Sequence, residues 1–262
     1  MLPKPAHLSP EYGAQFSDQS VADAYPTRPP YPAQIIEILA QLAKDEPRDV
    51  LELGCGTGDV TRFLAPYVQR IDAVDPSAAM LRKARTLENG LAENIRWIHQ
   101  TAEAFNYPQT YSLVVAAESL HWMDWEVVFP KISRALSPDG RLAIVFDREL
   151  GIMPWYDALG PLIARFSTNE DYQPYNLLDE LRQRALFTLE GQVQAVPVSW
   201  TQSVTGYLES FHSRNGFSRE RMGDRAAEFD VQLTALVLPH VQDGLLHFTL
   251  TAQVAWGRPA AG

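Results

Sequence analysis

The chain has 262 residues, 46% of them hydrophobic, which is enough for a sizeable core in one large α/β unit with an elaboration. With 32 acidic against 22 basic residues the net charge is −10, a balance that would repel a phosphate backbone unless a local basic patch overcame it. The nearest thing to such a patch, Arg82, Lys83 and Arg85, reads as the solvated face of a helix, so nucleic acid is a poor partner.

From the N-terminus, residues 1–16 lack the apolar stretch of a signal peptide. No apolar run along the chain approaches the roughly 20 residues needed to span a bilayer. Cys55 is the only cysteine, so no intrachain disulfide can form. A cytoplasmic protein with no membrane partner is expected. The first thirty-odd residues are rich in Pro, Tyr and small polar residues and end in YPTRPPYP (Tyr25–Pro32); Pro29 and Pro30 cannot sit inside a helix, which predicts an extended arm. A first helix follows over Ala33–Ala43, with Ile35, Ile36, Ile38, Leu39 and Leu42 largely on one face.

Between Asp49 and Asp147 strands and helices alternate. Strands are predicted at Asp49–Leu53, Arg70–Val74, Asn94–Ile98, Tyr111–Ala117 and Arg141–Phe146, and helices at Val60–Tyr67, Ser77–Leu87 and Trp125–Leu136. Continuous apolar strands separated by helices signal a parallel sheet covered on both faces. Ser137–Gly140 (SPDG) reads as a turn before the fifth strand. Beyond it come two helices within 150–190, a strand at Val193–Trp200 interrupted by a proline, helical stretches from Val204 to Leu238, and a strong last strand at Leu245–Trp256. The expected division is an arm and helix (1–45), a core (46–148), a cap with the sixth strand (149–243) and a last strand with a tail (244–262), all in one domain.

The segment that carries chemistry is VLELGCGTGDVT, Val50–Thr61. A buried strand runs into Gly54, Gly56 and Gly58 and then a helix, a turn whose amides can hold polar or anionic ligand groups. A nucleotide P-loop would end in Gly-Lys-Ser/Thr, which is absent. A dinucleotide fingerprint spaces its glycines G-x-G-x-x-G, whereas this turn reads Gly-Cys-Gly-Thr-Gly. Glu52, just before the turn, would repel a pyrophosphate but suits an ammonium group.

Glu52-Leu53-Gly54-Cys55-Gly56-Thr57-Gly58 resembles the E/D-x-G-x-G-x-G signature of class I S-adenosylmethionine-dependent methyltransferases, and later elements over residues 15–148 follow the family's order. The resemblance implies a Rossmann-like, doubly wound α/β fold: a seven-stranded, mostly parallel sheet with an antiparallel edge strand and a helical cap. It also implies S-adenosylmethionine as cofactor and S-adenosylhomocysteine as product. By it, Asp75 after the second strand binds both ribose hydroxyls, and Met80 packs near the adenine. Ala102 and Glu103, in TAE after strand three, meet the adenine amino group, and Ala117 with Glu118 lie beside the methionine moiety. Asp75 has a second reading as a helix N-cap, Met80 as plain core, and Cys55 as a small buried filler. In related small-molecule enzymes an aromatic arm folds over the cofactor. Arg28 would then pair with the cofactor's carboxylate, and Tyr25 or Tyr31 would face the sulfonium; otherwise the arm merely packs on the sheet.

Methyl transfer needs nucleophile, methyl and sulfur in line, and a base only where the acceptor must lose a proton. His121, in ESLHWMDW beyond strand four, is the candidate general base or else a pocket wall; His212 in the expected cap is a weaker second. Trp155, Tyr156, Phe166, Tyr172, Tyr175, Trp200, Tyr207, Phe211 and Phe217 supply core and, in part, an apolar acceptor pocket. The six histidines form no metal-ligand spacing. The Asn-Pro-Pro-Tyr-type signature is absent after strand four, which favours an oxygen or carbon acceptor on a small molecule. Two rival classes stand beside this reading. One is a protein that binds the cofactor without transferring methyl, as a regulatory module or a repurposed cyclisation catalyst. The other is a nicotinamide-dependent dehydrogenase.

Overall fold

The computed structural model describes residues 4–8, 10–151, 153–173 and 175–260. The N-terminal arm departs from expectation, because most of it is coiled into short helices rather than extended. After a 3-10 turn at Ala6–Leu8 come α1 (Pro10–Gly13) and α2 (Gln19–Ala24), with further 3-10 turns at Ala14–Ser17 and Tyr25–Thr27. A six-residue helix is unstable alone. Here Val21 and Ala22 are fully buried against Ala79 and Met80, so tertiary packing supplies what the local sequence lacks. From Arg28 to Pro32 the backbone is non-helical, as the prolines require.

The next helix, α3 (Ala33–Leu42), buries Ile35, Ile36 and Leu39 on the sheet. Then come β1 (Asp49–Leu53), α4 (Thr61–Leu64), β2 (Arg70–Asp75), α5 (Ala78–Thr86), β3 (Ile95–His99), β4 (Tyr111–Ala117), α6 (Trp125–Ala135) and β5 (Leu136–Leu150). Every residue of β1 is buried, as a central strand covered on both faces must be. The turn expected at Ser137–Gly140 lies inside β5, where the pairing with β4 shifts register between Tyr111 and Leu113.

The remainder comprises α7 (Tyr156–Phe166), α8 (Leu177–Gln183), β6 (Phe187–Gln194), β7 (Val198–Gln202), α9 (Val204–His212), α10 (Arg219–Met222), α11 (Arg225–Val237) and β8 (Leu246–Pro259). The sheet runs β3-β2-β1-β4-β5-β8-β6, with β7 also paired to β8. It has eight strands where seven were expected. The segment broken by Pro197 is two strands, since proline cannot donate to the ladder, and both halves pair antiparallel with β8. Strand β8 accordingly lies inside the sheet, between β5 and β6, and not at its edge.

Strand order reverses between β1 and β4, both parallel neighbours from one side of which the chain winds left and from the other right. Beyond the carboxyl ends of strands at such a switch point lies the ligand crevice of open α/β sheets. Helices α7, α9 and α11 pack together around Phe166, Tyr207, Phe211, Phe229 and Leu233. Most of the late aromatics are thus the cap's own core: Trp155, Phe166, Tyr207, Phe211 and Phe217 are buried there, while Tyr156 and Tyr172 are exposed. No described helix is long and apolar enough to cross a membrane, and no cluster of three metal-ligating side chains occurs among the described residues.

Candidate active site

The glycine turn is held by backbone. Gly54 N and Cys55 N both donate to Val74 O, at 2.8 and 3.1 Å, which latches the end of β1 to β2. Gly54 has φ +70°, and a Cβ there would stand 2.5 Å from Ser119 Cβ, so only glycine fits. Ser119 itself donates from Oγ to Leu53 O at 2.6 Å, joining the turn to the end of β4. Gly56 is likewise left-handed, at φ +54°.

Asp75 stands opposite the turn. Its Oδ2 accepts from Gly56 N and its Oδ1 from Ser77 N, both at 2.8 Å. It is not the cap of α5; Ser77 is, accepting from Met80 N at 3.2 Å. A carboxylate has about four acceptor positions, so two backbone bonds leave capacity for a vicinal diol. Burial raises this carboxyl to about 6, against the pull of the two amides. Glu52 is buried as well, with Thr61 Oγ1 donating to it. Burial, with Asp59 and Asp75 adding repulsion, lifts Glu52 to about 8 in spite of the Thr61 bond. Neither carboxyl has a cationic partner among the described residues. Cys55 is buried and its thiol is pushed well up by that burial, which suits a filler and not a nucleophile.

The arm closes over the turn. Ring atoms of Tyr25 lie 3.7 Å from where a Cβ on Gly56 would stand. Arg28 stacks on Tyr25, its guanidinium carbon 4.2 Å from the ring centroid. Its Nε donates to Ser213 Oγ at 2.8 Å and its Nη2 to Ser213 O, tying the arm to the C-terminal end of α9. Tyr31 is covered instead by Arg148, 4.6 Å from its centroid, so that face is taken. Outside the arm runs an open groove of about 570 Å³ lined by Pro26, Tyr31, Asp59, Phe63, Tyr67 and Trp200.

On the far side of the crevice, Met80 is buried with Val21, Ala22 and Ala79, and Ala102 is buried in the layer under α6. Glu103 accepts from Asp124 N at 2.8 Å, which turns its carboxylate toward the start of α6. Ala117 ends β4 half-buried. Glu118 follows at φ +51° and accepts from Arg148 N at 3.1 Å. His121 lies 4.6 Å from Trp122 and 6.2 Å from Tyr175, centroid to centroid. Burial, reinforced by Lys4 and His7, lowers His121 to about 3, so it is a neutral imidazole at any physiological pH. His212 is not placed for proton transfer: its Nδ1 meets Phe217 O at 2.9 Å and its Nε2 meets Asp230 Oδ1 at 2.7 Å, inside the cap.

The fold therefore brings Tyr25, Glu52, Gly54, Gly56 and Asp75 to one crevice, with Met80, Ala102 and Ala117 at its edges. Arg28 comes close through Tyr25, and Tyr31 and His212 are otherwise engaged. Sequence reasoning missed Arg148, which pairs with Asp59 at 3.0 Å, and Arg214, whose guanidinium carbon lies 4.1 Å from the Phe211 centroid. It missed His7 also, buried with Nε2 lacking a partner among the described residues and 5.2 Å from the Tyr175 ring. Of these only Arg148 had a local signal, the charged run Asp147-Arg148-Glu149 near the end of the apolar strand β5.

Residues 50–140 match the family described as a methyltransferase domain. An uncharacterized methyltransferase of Schizosaccharomyces pombe is 30% identical over 202 residues, 76% of each chain. A probable S-adenosylmethionine-dependent methyltransferase of Saccharomyces cerevisiae is 27% identical over 70% of this chain, a stretch that spans 61% of the yeast protein. Trans-aconitate 2-methyltransferase of Paracidovorax citrulli is 33% identical over 49% of this chain and 54% of its own length. In fold, the chain is similar to a methyltransferase from Geobacter sulfurreducens solved with S-adenosylhomocysteine, at TM-score 0.51 and 18% identity, covering 88% of this chain and 92% of that one.

Proposed function

The chain belongs to the S-adenosylmethionine-dependent methyltransferases, and from that premise we propose that it transfers a methyl group to a small organic acceptor, at oxygen or carbon. The observation that carries this reading is the pair of buried, cation-free carboxyls, Glu52 and Asp75, on either side of a left-handed glycine turn at the sheet's switch point. The charges of the cofactor's amino-acid head find complements here: Glu52 for the ammonium, Arg28 for the carboxylate. Asp75 retains acceptor capacity for the ribose, and Met80 and Ala102 offer apolar surface for the adenine.

When bound, the cofactor supplies a methyl already activated on a sulfonium. The chain's part is to hold the acceptor in line and exclude water. Tyr25 covers the turn, and the arm fastened to α9 closes the crevice against solvent. His121 acts as wall, because an imidazole held near 3 takes up a proton poorly at neutral pH. An acceptor that needs no deprotonation follows, which favours an ionised oxygen. The acceptor in the name of the Paracidovorax relative is a small polyacid, which supports the same class.

Calorimetry with S-adenosylhomocysteine and with NAD is the first test: the former binds and the latter does not. Incubation of the full chain with labelled methyl donor and a metabolite extract then yields S-adenosylhomocysteine and a labelled small molecule. Binding without any turnover would leave a regulatory cofactor-binding protein, and binding of NAD alone would overturn the assignment.

A further inference from the structure

Arg214 follows α9 in a segment fastened to the arm on both sides. Ser213 accepts from Arg28, and Asn215 Oδ1 accepts from Gln15 Nε2 at 2.6 Å. Across the crevice mouth, Phe16 of the arm touches both Arg28 (5.9 Å) and Trp122 (5.8 Å), and Trp122 touches His121. Arg214 thus stands beside the fastening of the arm, with Arg28 and Arg148 as its charged neighbours. Its guanidinium lies on Phe211, and among the described residues it donates to no protein acceptor and pairs with no carboxylate. Burial, then the like charges of Arg28 and Arg148 working against the pull of Tyr207, draw it down to about 10.

The charges around it do not balance. Asp59 is shared between Arg148 (3.0 Å) and Arg62 (3.2 Å), and Glu118 accepts from the Arg148 backbone. With Arg28 assigned to the cofactor's carboxylate, one desolvated guanidinium remains without an anion, a costly arrangement unless a ligand completes it. A planar fork of donors is matched by a carboxylate.

We propose that Arg214 binds a carboxylate of the acceptor, so that the substrate is a small di- or tricarboxylic acid; this rests on the methyl-transfer reading above. A second carboxylate of the acid, free of Arg214, is the nucleophile. Its oxygen forms the bond to the methyl carbon, the carbon–sulfur bond breaks, and its electron pair stays on sulfur as a neutral thioether. The products are a methyl ester and S-adenosylhomocysteine. No proton moves, in keeping with a neutral His121.

The test titrates the full chain, loaded with S-adenosylhomocysteine, with trans-aconitate, with tricarballylate and with the uncharged triamide of tricarballylate. The acids bind and the triamide does not. Arg214→Gln weakens the acids by about 10- to 100-fold, the loss of one charge-assisted pair, while S-adenosylhomocysteine binds within about twofold of the parent and Arg214→Lys falls between. Should Arg214→Gln fold poorly by circular dichroism, Arg214→Lys carries the test through raised KM for the acids at retained kcat. Acid affinity indifferent to either variant, triamide binding equal to acid binding, or joint loss of S-adenosylhomocysteine in Arg214→Gln each overturns the proposal. Acids that bind through Arg214 but never appear as labelled esters would instead sink the methyl-transfer reading and leave the carboxylate site standing.

Discussion

The two walls of the crevice are made of different material. The cofactor wall is backbone: amides of Gly54, Cys55 and Gly56, a left-handed turn, and two buried carboxyls from strand ends. The wall proposed for the acceptor is side chain: Arg214, His121, Trp122 and Tyr175, contributed by the cap and the loop after β4. Backbone geometry admits almost no alternative at a given position, whereas long side chains can be exchanged one at a time. The first wall suits a shared cofactor and the second a particular acceptor.

Substitutions can break or sharpen that contrast. Gly54→Val should do the most damage, since strain of about 1–3 kcal/mol at a left-handed residue adds to overlap with Ser119 Cβ, 2.5 Å from the new Cβ. S-adenosylhomocysteine affinity should fall by about 100-fold or more, with a lowered Tm; unchanged calorimetry would show that the turn is not the binding element. Asp75→Ala should cost about 1–3 kcal/mol of cofactor binding, accompanied by some loss of thermal stability because Gly56 N loses its partner. Stability loss alone, with affinity intact, would make Asp75 a structural clamp.

A smaller effect is expected at Glu52, read as protons and not as affinity. Its folded acid form is raised from the ordinary 4.5 to about 8, so protonated Glu52 favours the fold below about 4.5 and that contribution is lost as pH rises through 8. A bound ammonium favours the carboxylate, so cofactor binding at pH 7 should release a proton from Glu52. Calorimetry in buffers of different ionisation enthalpy should show the release in the parent and none in Glu52→Gln. His121→Phe should change least, lowering kcat by less than about tenfold with no shift in pH profile; a fall of about 10²-fold would restore the base role.

Legibility followed the same division. Glu52 through Gly58 stand in one uninterrupted turn, and Asp75 ends the adjacent strand, so local chemistry and strand rhythm together point to them. Arg214 is 186 residues from Arg28 in the chain, yet both flank Ser213 and its bonds. The proline-rich arm marks Arg28, whereas no local pattern marks Arg214. The arm misled for a related reason: its prolines argue for extension, and what coils Gln19–Ala24 is burial of Val21 and Ala22 against α5. Pro197 divides β6 from β7 by a simple local rule, but only pairing with β8 makes two strands of the pieces.

By itself the sequence determined the alternation of strand and helix, the glycine turn and its carboxyls, because each depends on φ preferences, hydrophobic period and neighbours a few residues apart. Tertiary structure decided the rest. The closing of the arm, the placing of β8 inside the sheet and the meeting of Arg28 with the Arg214 segment rest on contacts between distant stretches. Those contacts exist only once burial has brought the stretches together.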